Sequence, residues 1–207
     1  MTPSGRFAEA IAAIDRANAE DPERLSLDGG DPRPKELVHS ELVTDWVHRL
    51  DPDATEEQLL AARAHHFRRW TSPRSAHPEG RAGYLRWRTE AGRRHAEEVA
   101  GLLRDHGYDE RSIERVGRII RKEGRRTDPR VQTHEDALCL VFVQLQLADV
   151  AERLGEEAAV AVVARTLDKM SDRAVELATE LARDDRARRV LELAARRSIA
   201  PDGSRSE

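Results

Sequence analysis

Residues 35–50 read KELVHSELVTDWVHRL. Val43, Trp46 and Leu50 recur at three- and four-residue spacing, which lines one face of an α-helix and cannot line one face of a strand. His39 falls on that same face, so an ionisable ring is carried inward by a strongly amphipathic segment. Pro34 stands just before it, where a fixed φ suits the first helical position. The same period repeats outward in both directions. Phe7, Ile11 and Ile14 predict a helix over 5–19 with Ser4 as its N-cap, and 21–34, rich in Gly, Asp and Pro, reads as a loop. Thr55 and Gln58 form a capping box that launches a helix toward Trp70, closed by Pro73. A helix over about 84–106 carries Ala91, His95, Val99 and Leu102 on one stripe and stops at Gly107. Asp109 caps the next, whose face is Ile113, Val116 and Ile120. A long helix over 129–154 places Asp136 on a stripe with Leu140, Val143 and Leu147, and helices over 156–181 and 186–197 follow. No alternating pattern of useful length is present. The expected fold is all-α, a bundle of seven or eight helices, with one domain over 1–183 and a C-terminal helix and disordered polar tail over 184–207.

Composition agrees with a helical chain of many solvated faces. Of the 207 residues, 39% are hydrophobic and 36% charged, the latter well above the usual quarter. The longest apolar run, Ala137 to Val143, is far short of the ~18 residues that span a bilayer. The first residues lack the apolar core of a secretory signal, and the single Cys139 allows neither a disulfide within the chain nor a thiolate metal site. A cytoplasmic location is expected. Net charge is −4, which argues against duplex DNA as a partner.

Polar residues on core-facing stripes carry the functional argument. They are His39, His65, His66, His95 and Asp136, spread over successive helices. A buried imidazole needs a partner at each ring nitrogen and a buried carboxylate needs a cation. Converging on one centre, they satisfy one another through a metal ion. Imidazole and carboxylate without thiolate point to Mn, Fe, Zn, Co or Ni. His66 is preferred to His65, because it follows Leu59 and Ala62 on the buried face. His48, His77, His106 and His134 are given no role, His134 because it points to a different face from Asp136.

The order of these residues resembles the HD-domain superfamily of metal-dependent phosphohydrolases. His39 within ELVHSELV stands for the first histidine, His65-His66 takes the place of the His-Asp pair, His95 resembles the additional histidine helix, and Glu135-Asp136 closes the set. Gaps of 27, 29 and 41 residues separate His39, His66, His95 and Asp136, about one ligand per helix. The resemblance implies a metal held by His39, His65, His66, His95 and Asp136, with Asp136 and Glu135 as catalytic carboxylates. The chain departs from the superfamily at His66, where an aspartate would bridge two ions and a neutral imidazole cannot. Segments such as His66-Phe-Arg-Arg-Trp, Gly83-Tyr-Leu-Arg-Trp-Arg, Gln132-Thr-His-Glu-Asp and Lys169-Met-Ser also resemble an uncharacterised family, a domain of unknown function, over residues 7–178.

A second constellation is cationic. Nine arginines lie between Arg63 and Arg94, opposed there only by Glu79 and Glu90, and Trp46, Phe67, Trp70, Tyr84 and Trp87 lie nearby. Guanidinium forks bind phosphate or carboxylate in pairs of hydrogen bonds. Arg68, Arg69, Arg74, Arg88 and Lys169 are therefore the expected contacts for a small anionic substrate. Three functions fit these residues: a metal-dependent hydrolase of a phosphorylated substrate, an iron-dependent HD-like oxygenase, and a non-catalytic Arg-rich module that binds anions. Substrate and oligomeric state stay open, a homo-oligomer included.

Overall fold

The computed structural model describes residues 5–27, 29–182 and 184–199 of the protein. It is all-α apart from one two-residue ladder. The Ser4 cap and the tail beyond residue 199 lie outside the described residues. Contacts divide the chain into two units, one ending at His134 and the other beginning at Glu135.

The first unit starts with α1 (Gly5–Asn18), then β1 (Arg24–Leu25) and β2 (Arg33–Pro34), paired antiparallel, and α2 (Lys35–Leu50). The segment expected as a loop is thus stapled to the start of α2. Pro34 caps that helix without a side-chain donor or acceptor to offer, so its first turn needs acceptors from elsewhere. Buried Asp21 supplies one: its two carboxylate oxygens accept from the backbone N–H groups of Glu23 and Glu36, each at 2.9 Å. α3 (Glu56–Ala64) begins at the Thr55–Gln58 capping box, with both reciprocal hydrogen bonds formed. It stops well before Trp70. His65 ends it, Arg68 turns the backbone into the left-handed region at φ 51°, and single 3-10 turns follow at Arg69–Thr71 and Arg74–Ala76.

α4 (Gly80–Asp105) starts about a turn earlier than its apolar stripe implies. A Cβ at Gly83 would sit 1.9 Å from the Pro78 carbonyl oxygen, so a glycine is what lets the 71–79 segment cross the helix there. At its other end Gly107, at φ 74°, donates to the Arg104 carbonyl while Tyr108 reaches back to Leu103, a Schellman closure. α5 (Glu110–Arg121) is capped by Asp109, which accepts from the Ser112 N–H at 2.7 Å. Ile14, Leu60, Phe67, Val99, Leu103, Tyr108, Ile113, Val116 and Ile120 meet in one core of α1, α3, α4 and α5. Each such aliphatic side chain contributes about 1.5–3 kcal/mol when removed from water.

α6 (Pro129–Leu154) contains the boundary between the units. The second unit continues with α7 (Glu156–Leu167), α8 (Asp172–Glu180) and α9 (Asp185–Ile199), α7 and α8 both packing on α9. The described residues thus form nine α-helices, one more than the larger expected number, because 156–181 is two helices and not one. Ser171 makes the break: its hydroxyl accepts from the Ala174 N–H and starts a new helix. Among the described residues no helix is long and apolar enough to cross a membrane.

Candidate metal centre

The face of α2 that carries His39 carries a carboxylate as well. Glu36 lies three residues before His39, one turn away, and both are buried. Asp21 fixes the backbone at Glu36 from the preceding loop. The end of α3 delivers His65 and His66 to the same place, before Arg68 turns the chain away. α4 adds His95 and the first turns of α6 add His134, each almost fully buried.

Five imidazoles meet here. The His39 and His66 rings stack with centroids 4.5 Å apart, and those of His65 and His66 are 4.6 Å apart. His65 and His134 meet edge to face at 4.9 Å, with His65 Nδ1 3.1 Å from His134 Nε2, so one of those nitrogens donates to the other. His95 stands 6.2 Å from His66, ring to ring.

Hydrogen-bond partners assign two tautomers. His95 Nδ1 lies 2.9 Å from the His65 carbonyl oxygen, which can only accept, so Nδ1 carries the proton. His66 Nε2 lies 2.8 Å from Arg69 Nη1, which can only donate. That nitrogen therefore holds the lone pair, and Nδ1–H donates to Glu36 Oε2 at 3.1 Å. Both rings are neutral. Burial pushes the pKa values of His39, His65 and His66 down, those of His65 and His66 strongly, and the positive charges of Arg69 and Lys122 act in the same direction on His39 and His66. His95 is pushed down to about 4, first by burial and then by Arg94. Burial raises Glu36, against the pull of nearby cations.

Neutral imidazoles beside a carboxylate are what a divalent transition-metal ion requires of its ligands. One Glu36 oxygen and one ring nitrogen each from His39 and His66 lie within 4.8 Å of one another. Two ligands of a common tetrahedral ion sit about 3.4 Å apart, so side-chain shifts of about 1–1.5 Å bring these three into range. The donor set fits such an ion.

The structure gathers His39, His65, His66 and His95 and gives Asp136 a different task. The Asp136 carboxylate accepts from the Ser171 backbone N–H at 2.9 Å and from the Ser171 hydroxyl at 2.6 Å, inside the second unit. Glu135 is buried and belongs to that unit too. On α6, residues two apart point about 200° from each other. His134, expected to have no role, meets His65 in this cluster through its Nε2. Glu36 does not stand out in the sequence, because a glutamate near a helix start resembles an ordinary first-turn charge. Its signal was the Glu-x-x-His spacing, which places two metal-ligating side chains on one helix face.

Of the expected anion contacts, Arg69 touches the cluster. It bonds His66, its Nε is 3.9 Å from Glu36 Oε1, and its guanidinium lies 4.7 Å above the Trp87 ring. Trp87 is anchored in turn by its Nε1–H donating to the Ser72 carbonyl. Arg88 is exposed on α4 and adds its charge to the field at Arg69. Arg68 is exposed, and Arg74 is spent on the carbonyls of His77 and Gly80. Lys169 lies in the turn between α7 and α8, in the second unit. Arg68 and Lys122 are the two non-glycine residues with positive φ among those described. Arg68 follows the His65-His66 pair, and Lys122 closes α5 as its C-cap.

Comparison with known proteins adds one finding. A family model described as a domain of unknown function, DUF4202, matches residues 8–191. Neither a curated protein nor a solved structure matches the chain.

Proposed function

The chain belongs to the DUF4202 family, and we propose that it holds a divalent transition-metal ion on Glu36, His39 and His66 and hydrolyses a small anionic, phosphorylated substrate. The observation that carries the reading is the set of neutral rings and one carboxylate within 4.8 Å of one another. A bound ion supplies a water of lowered pKa and a positive charge for a substrate oxygen. The protein's own groups do the rest. Glu36 places negative charge among uncharged donors, and His95, tied to the His65 carbonyl, holds the ring layer in register. Arg69 offers a planar fork at the rim for phosphate, with Trp87 behind it. The sequence of His39, His65-His66 and His95 along successive elements supports an HD-like ancestry, with Glu36 in place of the expected Asp136. A cytoplasmic enzyme acting on a free small molecule is the setting this chemistry suits.

A second reading has one specific observation in its favour. Two histidines and one carboxylate are the donor set of non-haem iron oxygenases. Anaerobically purified protein loaded with Mn²⁺ or Co²⁺ and offered a panel of phosphate esters is expected to release phosphate. Oxygen uptake by the Fe²⁺ form without phosphate release would replace hydrolysis by oxidation. Loaded protein that does neither would be a binding module.

A further inference from the structure

We propose that Arg69 is a built-in competitor of the metal ion: its guanidinium holds the one lone pair of His66 that coordination needs, so loading the site and releasing Arg69 are a single event. This rests on the metal reading above and adds an order of binding to it. A neutral imidazole has two ring nitrogens and one lone pair. In His66 that lone pair is on Nε2, 2.8 Å from Arg69 Nη1, while the proton is on Nδ1, 3.1 Å from Glu36 Oε2. An ion that binds Nε2 takes the place of Arg69. An ion that binds Nδ1 moves the proton to Nε2, where N–H then faces N–H across 2.8 Å. Either route breaks the contact.

Glu36 sharpens the competition, because Arg69 Nε stands 3.9 Å from its Oε1. The guanidinium is a cation facing both a ligand carboxylate and a ligand ring in the metal-free protein. Once released it still has the Trp87 face, 4.7 Å away, to rest on. Its fork is then available to an anion, so the substrate site is completed by loading the metal. His95 repeats the layout with a longer contact: its Nδ1–H is held by the His65 carbonyl and its Nε2 stands 3.4 Å from Arg94 Nη2.

Co²⁺ titration of the metal-free, full-length chain tests this. Removing a charge-assisted hydrogen bond that must otherwise be broken makes Arg69→Met bind Co²⁺ roughly tenfold to a hundredfold more tightly than the wild type. Equal or weaker binding by Arg69→Met, with clear binding by the wild type, overturns the competition and leaves the metal site standing. No Co²⁺ binding by either protein removes the site and this proposal together. A measurement on the wild type alone guards against a variant that misfolds. Nitrogen-15 correlation spectra of the metal-free protein are expected to show His66 protonated at Nδ1, and a proton on Nε2 would overturn the proposal.

Discussion

In the proposed metal centre Glu36 carries the negative charge, since without it the gathered rings offer an ion no compensating charge. Glu36→Gln keeps the shape and removes that charge, and Co²⁺ affinity is expected to fall by about a hundredfold or more while the helical circular-dichroism signal persists. Retained affinity would take the carboxylate out of the ligand set. The histidines show what a linear reading can see at this scale. His39 and His95 were legible because each falls on an apolar stripe of a regular helix. His134 was not, because choosing between it and Asp136 requires knowing which side of α6 meets the rings and which meets Ser171. Both residues are polar and both are buried, so burial cannot separate them. Only the partner can.

Helices whose ends are written in local residues were legible at the scale of elements: the capping box of α3, the Asp109 cap and the glycine stop of α4. Ends written by tertiary contact were not. α3 gives way at His65 to the left-handed residue Arg68, and no proline or glycine marks the place. The start of α8 combines the two: Ser171 caps the helix through its hydroxyl and is itself held by Asp136. Asp136→Ala leaves that hydroxyl and N–H without their acceptor, and is expected to destabilise the chain by about 1–3 kcal/mol in urea denaturation. Metal stoichiometry should be unchanged, because Asp136 is assigned to Ser171 and not to the ion; loss of metal in Asp136→Ala would return it to the ligand set. Gly83 is a second such point. Gly83→Ala drives a methyl into the Pro78 carbonyl, so the 71–79 segment must lift, and proteolysis within it should quicken several-fold.

For the whole molecule, the neutral rings make stability depend on pH. His39, His65, His66 and His95 all hold their protons more weakly when folded than the ordinary value near 6.5. The unfolded chain therefore binds more protons as pH falls from about 6.5 toward 4, and stability is lost over that window. His95 alone, pushed down to about 4, accounts for on the order of 3 kcal/mol. Glu36, raised by burial, acts in the opposite direction and offsets a part. Thermal melts of metal-free protein at pH 7, 5.5 and 4.5 should show a steady fall; a flat series would mean that the rings are charged or exposed. The all-α class was open to a reader of the sequence, since it needs only the helical period. The centre was open in part, through residues that mark a helix face, and closed where the chain leaves regular structure. The most direct measurement is the metal content of the purified protein, taken after reconstitution with Mn, Fe, Co, Ni or Zn and removal of free ion. One ion per chain in the wild type and none in His39→Ala is the predicted result; a wild type without stoichiometric metal, or a His39→Ala chain that keeps it, contradicts the account.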